Sequence, residues 1–391
     1  MDRYRGRQKL SRIGIVTRAT RENDHSIANL RGLTSGEHAQ LVLEGMWRPN
    51  SFAIFQAGMD YRVNSGDLVP FNSFIAVSRG KLQLDMGYKE HWYSPFKFSS
   101  QLISSNAKMG PSVSLSTTES FEKWWRLKFD LFYTRLDKVK QGIKYMGDWH
   151  DGSPHLLGTH VSIEPMEGWK LGFNRLLQFG GGPRKVSMGD ILKAFIDPAT
   201  NDNSYTLEER KSEFGDQMAS ITSSYQFKIG LPVEVYAELA GEDTQGESNF
   251  SLGNQATSLG IFLPQINKNI DLRYEYNGFK TSWYTNHMYA YGNTNGDHVI
   301  GHYAADQRRF GHGVPAEIHR ASIDFFTSME ASWGLSLASI NNKDRSLYTK
   351  GHEMELQRRH NWRSSRVESR LILGESVFSK NYLHLSTGFF W

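Results

Sequence analysis

The chain has 391 residues and a formal net charge of only +4, too small an excess at this length to argue for a nucleic-acid partner. It contains no cysteine, which removes disulfides, thiolate metal sites and a cysteine nucleophile. No run approaches the roughly 18–20 apolar residues that a membrane helix requires. With 39% hydrophobic residues, the chain fits either a soluble fold or a wall of strands in which only every second residue meets lipid. The 13% aromatic content, with 10 Trp and 17 Tyr, favours the wall, because interfacial girdles consume both residue types.

At the start, Met1-Asp-Arg-Tyr-Arg-Gly-Arg-Gln-Lys9 carries the charge of an export signal without the apolar core that follows one. The sequence is therefore expected to be a mature or truncated form whose natural start is missing. From there, period-2 segments predict strands over 10–19, 37–48, 52–62, 72–79, 81–89, 111–118 and 123–135. They continue over 158–165, 168–178, 214–227, 231–241, 255–263 and 267–278, and end with 316–327, 330–341, 351–360, 365–374 and 380–391. Alternation is clean in Ile270-Asp-Leu-Arg-Tyr-Glu-Tyr276, where Asp271, Arg273 and Glu275 oppose the apolar set. The final ten residues place Leu383, Leu385, Thr387, Phe389 and Trp391 on one face; His384, Ser386 and Gly388 share the other, with Phe390 interrupting it.

The connections alternate in length. Short ones, such as Arg79-Gly-Lys81 and Pro165-Met-Glu-Gly168, alternate with long ones at about 90–110, 136–157, 179–213, 242–254 and 279–315. Trp47, Trp124, Trp125, Trp169, Trp333, Trp362 and Trp391 fall at or near the short-turn ends of strands, as an interfacial belt requires. The prediction is all-β: one domain over 1–391, a transmembrane antiparallel β-barrel of about eighteen strands with short periplasmic turns and long extracellular loops.

Met86-Gly-Tyr-Lys-Glu-His-Trp-Tyr-Ser-Pro95, then Leu102-Ile-Ser-Ser-Asn-Ala107, carry a resemblance that continues through Arg175-Leu-Leu-Gln-Phe-Gly-Gly-Gly-Pro183 and Tyr236-Ala-Glu-Leu-Ala-Gly-Glu-Asp243. With Tyr284-Thr-Asn286 and Ile300-Gly-His302, the chain resembles the Wzi family of capsule-assembly outer-membrane proteins. The resemblance implies an eighteen-stranded barrel acting as a surface lectin that holds capsular polysaccharide. Family members carry a small periplasmic helical segment before the barrel, and nothing before Leu10 resembles it.

Inside the wall, Asp271, Arg273 and Glu275 lie beside a strand bearing Arg320 and Asp324, and Glu353, Glu355 and Arg359 neighbour Glu368 and Arg370. These charges are expected to compensate one another as a structural network; a solute-selective passage is the alternative. Candidate polysaccharide contacts lie in the outer loops: Trp92, Tyr93, Trp149, Trp283, Tyr284 and Tyr289 as stacking platforms, and Arg308 and Arg309 as partners for carboxylates. The same aromatics would serve equally to pack the loops together. Among Asp297, His298, His302, Asp306 and His312 no metal-ligand spacing is recognisable, and no nucleophile motif accompanies Asp148-Trp-His-Asp151. The expectation is a non-enzymatic outer-membrane lectin with no cofactor and no metal. Its expected partners are an acidic capsular polysaccharide and the membrane lipid. A diffusion porin is the alternative.

Overall fold

The computed structural model describes residues 9–21, 25–196, 214–242, 252–328 and 330–391. The expectation about the segment before Leu10, and parts of the long loops after 196 and 242, fall largely outside these residues. Strands from Lys9–Thr20 to Asn381–Phe390 form one antiparallel sheet in which sequence neighbours pair. The first strand also pairs with the last, Gly14 opposite Phe390 and Thr20 opposite His384, so the sheet closes. The ladder has 19 members; the short Leu68–Pro70 only extends the edge of Ala53–Arg62, which leaves eighteen strands in the wall.

The expected strands are found, with instructive departures. The span 123–135 begins only at Lys128, because Trp125 and Arg126 adopt left-handed backbone (φ 50 and 54) and turn the chain. That turn is held by the Glu164 amide donating to the Trp125 carbonyl (2.7 Å) and by an Arg126–Glu164 ion pair (3.1 Å). The span 158–165 is longer, His155–Met166. The outer loops contain a hairpin of Ile143–Tyr145 with Asp148–His150 and a helix Met188–Ile196, neither of which the periodicity predicts.

Burial is inverted relative to a globular protein. Along the wall, Ile75, Leu84, Leu259, Leu337 and Leu385 are exposed, whereas Asp85, Glu238, Glu275, Arg320 and His384 are buried inside the bore. An exposed apolar row on strand after strand needs hydrocarbon against it, and closure leaves no strand edge unpaired within that hydrocarbon. Among the described residues no helix is long and apolar enough to cross a membrane; the strands do so. Phe390 faces the bore, nearly buried. A Cβ at Gly14 would lie 2.3 Å from its ring, and one at Gly388 2.8 Å, so glycine at both places lets an aromatic lie flat against the wall. Trp47, Trp124, Trp125, Trp333, Trp362 and Trp391 are exposed at the short-turn end, the arrangement of an interfacial girdle.

Candidate functional site

Three outer connections fold back into the bore, seen over 25–38, 89–111 and 280–315. Wall carboxylates and amides receive them. Glu275 accepts the backbone amides of Lys97 (2.8 Å) and Phe98 (3.1 Å) as well as the Tyr236 hydroxyl (3.0 Å). Glu238 accepts from Ser94 Oγ (2.8 Å), and Glu242 from the Tyr284 amide (3.1 Å). Asn174 donates to the Tyr93 carbonyl (2.9 Å), and Gln101 donates to Ser258 (2.7 Å). Arg62 reaches from the wall to the carbonyls of Arg31 (2.7 Å) and Gly32 (3.3 Å). A buried backbone amide without a partner costs free energy; here the inward polar face of the strands supplies the partners.

The three loops meet at Asn106. Its Oδ1 accepts the Asn29 amide (3.2 Å), and its Nδ2 donates to the Val299 carbonyl (3.0 Å) and to Asp306 (2.8 Å). Around it, Leu102, Ile103, Trp283, Tyr284, Ile300 and Tyr303 form an apolar core inside the barrel. The bore thus holds a plug made of the chain's own outer loops.

Below and beside the plug two cavities of about 260 and 280 Å³ remain, bordered by Arg370 in common. The compensating charges expected there are present: Glu355 meets Arg370 across the expected strand pair, while Arg320 and Asp324 have other partners. Arg320 pairs with Glu355 (2.8 Å), which also takes Arg370 (3.0 Å), and Asp324 pairs with Lys97 of the plug (3.0 Å). Glu275 is engaged with plug amides, and Arg320 with Glu355.

The plug determines where the sequence candidates lie. Tyr93, Trp283, Tyr284 and Tyr289 are almost wholly buried, and Arg308 is buried with its guanidinium donating to the Trp283 carbonyl. The Tyr284 hydroxyl donates to the Gln101 carbonyl and accepts the His302 amide (2.7 Å), and the Tyr289 hydroxyl donates to the Gly180 carbonyl (3.3 Å). Trp92 is half-buried and gives its indole N–H to the Phe96 carbonyl (3.1 Å). Trp149 (51% exposed) and Arg309 face solvent. Trp149 stands on the outer hairpin, with the Lys144 ammonium 5.8 Å from its ring. That hairpin bridges to Tyr289, and the neighbouring Tyr291 packs on exposed Phe310, beside Arg309, at 4.9 Å.

The loop histidines serve local structure. His298 pairs with Asp306 (3.0 Å), His302 accepts the Ala304 amide (3.1 Å), and His312 meets the Tyr348 hydroxyl (2.7 Å). Burial, with Arg320 nearby, pushes His302 down to about 3, so it is neutral at physiological pH. Among the described residues no group of three His, Cys, Asp or Glu could hold a metal. Sequence reasoning missed Asn106 and Glu238 as individuals, although both lie within the quoted stretches; a buried polar residue in an otherwise irregular loop is the signal that would have found Asn106.

Comparison with known proteins adds to this geometry. Among solved structures, Escherichia coli Wzi, an outer-membrane protein involved in group 1 capsule assembly and a carbohydrate-binding β-barrel, superposes with a TM-score of 0.76 at 14% identity, over 97% of this chain and 83% of that one. Pseudomonas aeruginosa OccK3 follows at 0.55 and 10% identity, covering 97% and 93%. An uncharacterized 55.8 kDa protein in the cps region of Klebsiella pneumoniae is 23% identical over 214 residues, 49% of this chain. The match spans only 38% of that relative's length. Residues 16–311 match the pattern of capsule assembly protein Wzi; that is about three quarters of the chain, so this outer-membrane barrel belongs to the Wzi capsule assembly family.

Proposed function

We propose that this protein is a lectin of the outer membrane that binds capsular polysaccharide and helps to hold the capsule at the cell surface. The observation that carries the reading, beside the family, is the plug: loops packed into the bore leave the outer face as the working surface. Trp149 and Arg309 are the candidates that a polymer outside the cell meets directly. Trp92, Tyr93, Trp283, Tyr284, Tyr289 and Arg308 act by fixing the loops that present them. An indole face stacks on the C–H face of a sugar ring, and Arg309 and Lys144 suit an acidic polymer. Each contact is weak, but a repeating polymer that engages many barrels gains by effective concentration. No step of this function needs catalysis.

The test is binding of purified barrel to an acidic capsular polymer. Trp149→Ala and Arg309→Gln should each lower affinity roughly three- to tenfold without altering folding. Unchanged affinity in both would move the site elsewhere. The second reading, a diffusion porin, draws on the two charged cavities beside the plug. Steady conductance of the intact protein in a planar bilayer would favour it.

A further inference from the structure

After the strand Trp169–Phe179 the chain turns outward, onto the lipid side of the wall. Val186, Ile191 and Ala194 pack on Leu157, Leu177 and Phe179, whose side chains point away from the bore at the outer rim. The helix Met188–Ile196 starts with a reciprocal cap: Ser187 Oγ accepts the Asp190 amide (3.2 Å) and Asp190 accepts the Ser187 amide (2.8 Å). At its other end Arg175, an outward residue of the wall, donates to the Ala194 carbonyl (2.7 Å) and to Gln217 (2.7 Å). The helix thus covers polar groups that would otherwise face the membrane.

Its opposite face is apolar and bare. Met188, Leu192, Phe195 and Ile196 are 72, 58, 40 and 76% exposed, at the i, i+4, i+7 and i+8 spacing of one stripe. Such a stripe at a membrane surface lies in the interface with its apolar side sunk toward the acyl chains. It is continuous with the exposed wall residues Leu131 and Tyr133. Between this segment and the strand ends is a cavity of about 830 Å³. Leu157, Phe179 and Ile191 line its apolar part, and Arg135, Arg184 and Lys185 also border it.

We propose that this cavity binds an anionic, acylated lipid of the outer leaflet, with its phosphate at Arg135, Arg184 and Lys185 and an acyl chain along Leu157, Phe179 and Ile191. A bare anion would leave the apolar lining unused, and a soluble polymer has no chain to lay on it. Cations gathered at the edge of a lipid belt are how anionic headgroups are held. The site stands apart from the glycan reading and is measured without any polymer.

The experiment is native mass spectrometry of the delipidated barrel titrated with lipid A, a bis-phosphorylated acylated disaccharide, with phosphatidylcholine and inorganic phosphate as separate arms. Wild type should retain one lipid A and not phosphatidylcholine. The Arg135→Gln/Lys185→Gln variant should bind at least tenfold more weakly, and Ile191→Ser, in the apolar lining, should also weaken retention, with heat-modifiable gel migration unchanged. Should the double variant fail to fold, Lys185→Gln alone, on an exposed loop, gives the reading. Equal retention by the charge variants, equal retention of phosphatidylcholine, or displacement of lipid A by inorganic phosphate would overturn the proposal. Displacement by a soluble acidic polysaccharide would assign the cavity to the polymer and overturn it as well.

Discussion

His302 shows how one side chain reports the state of the plug. It is buried as a neutral ring, with a proton affinity depressed to about 3 by burial and by Arg320, whereas an opened loop would leave it near 6.5. Above pH 6.5 both states are neutral and the residue contributes no pH dependence. Below that, the opened loop takes up a proton that the closed one refuses, so closure weakens by about 1.4 kcal/mol per pH unit down to roughly pH 3. Amide protection factors over residues 280–306, taken against the intrinsic exchange rate at each pH, should therefore fall between pH 6.5 and 4.5, and His302→Asn should flatten the trend. A pH-independent protection factor in wild type would contradict the burial. Trp149 is the counterpart on the outside: its replacement is expected to alter binding alone, because its ring is 51% exposed, with the Lys144 ammonium 5.8 Å away.

At the scale of elements, the wall and the plug answer to different rules. On the last strand, Leu385 is exposed and Ser386 faces the cavity beside Arg370. Leu385→Arg should cost roughly 2–4 kcal/mol by placing a charge in hydrocarbon, and Phe389→Asp, nearer the interface, should cost less. Ser386→Glu should be accepted. Outer-membrane levels of the three variants check this, and normal insertion of Leu385→Arg would reverse the face assignment. In the plug, Asn106 ties together loops through bonds that span 77 or more residues of sequence. Asn106→Ala leaves buried partners unsatisfied, a loss on the order of 2 kcal/mol. It should raise exchange in all three loops at once; a change confined to 89–111 would show that the loops are held separately.

For the whole molecule, the wall defines a passage and the loops fill it. Planar-bilayer recording of the intact barrel should show no steady current, and replacing residues 92–107 with a short Gly-Ser linker should open one. Current from both, at equal size, would mean that the plug does not seal. The stretches that carry the family resemblance converge on this seal: Ser94 and Glu238 bond each other, Tyr284 bonds His302, and Asn106 joins the three loops. In this chain these stretches supply bonds that seat the plug, whereas the solvent-facing Trp149 and Arg309 lie outside them.

The wall was legible from residue order because its rule is local. A strand between lipid and an inward polar face alternates every second residue, and this fixed the strand positions, the face of Leu385 and the side on which the tryptophans gather. The expected strand at 123–127 failed because left-handed backbone at Trp125 and Arg126 depends on a partner, Glu164, far along the chain. The plug obeys no local rule. Whether an aromatic in a long loop greets a sugar or seals a bore depends on whether a wall carboxylate such as Glu275 stands opposite its backbone amides. That pairing joins residues 178 positions apart, and only the closed barrel brings them together.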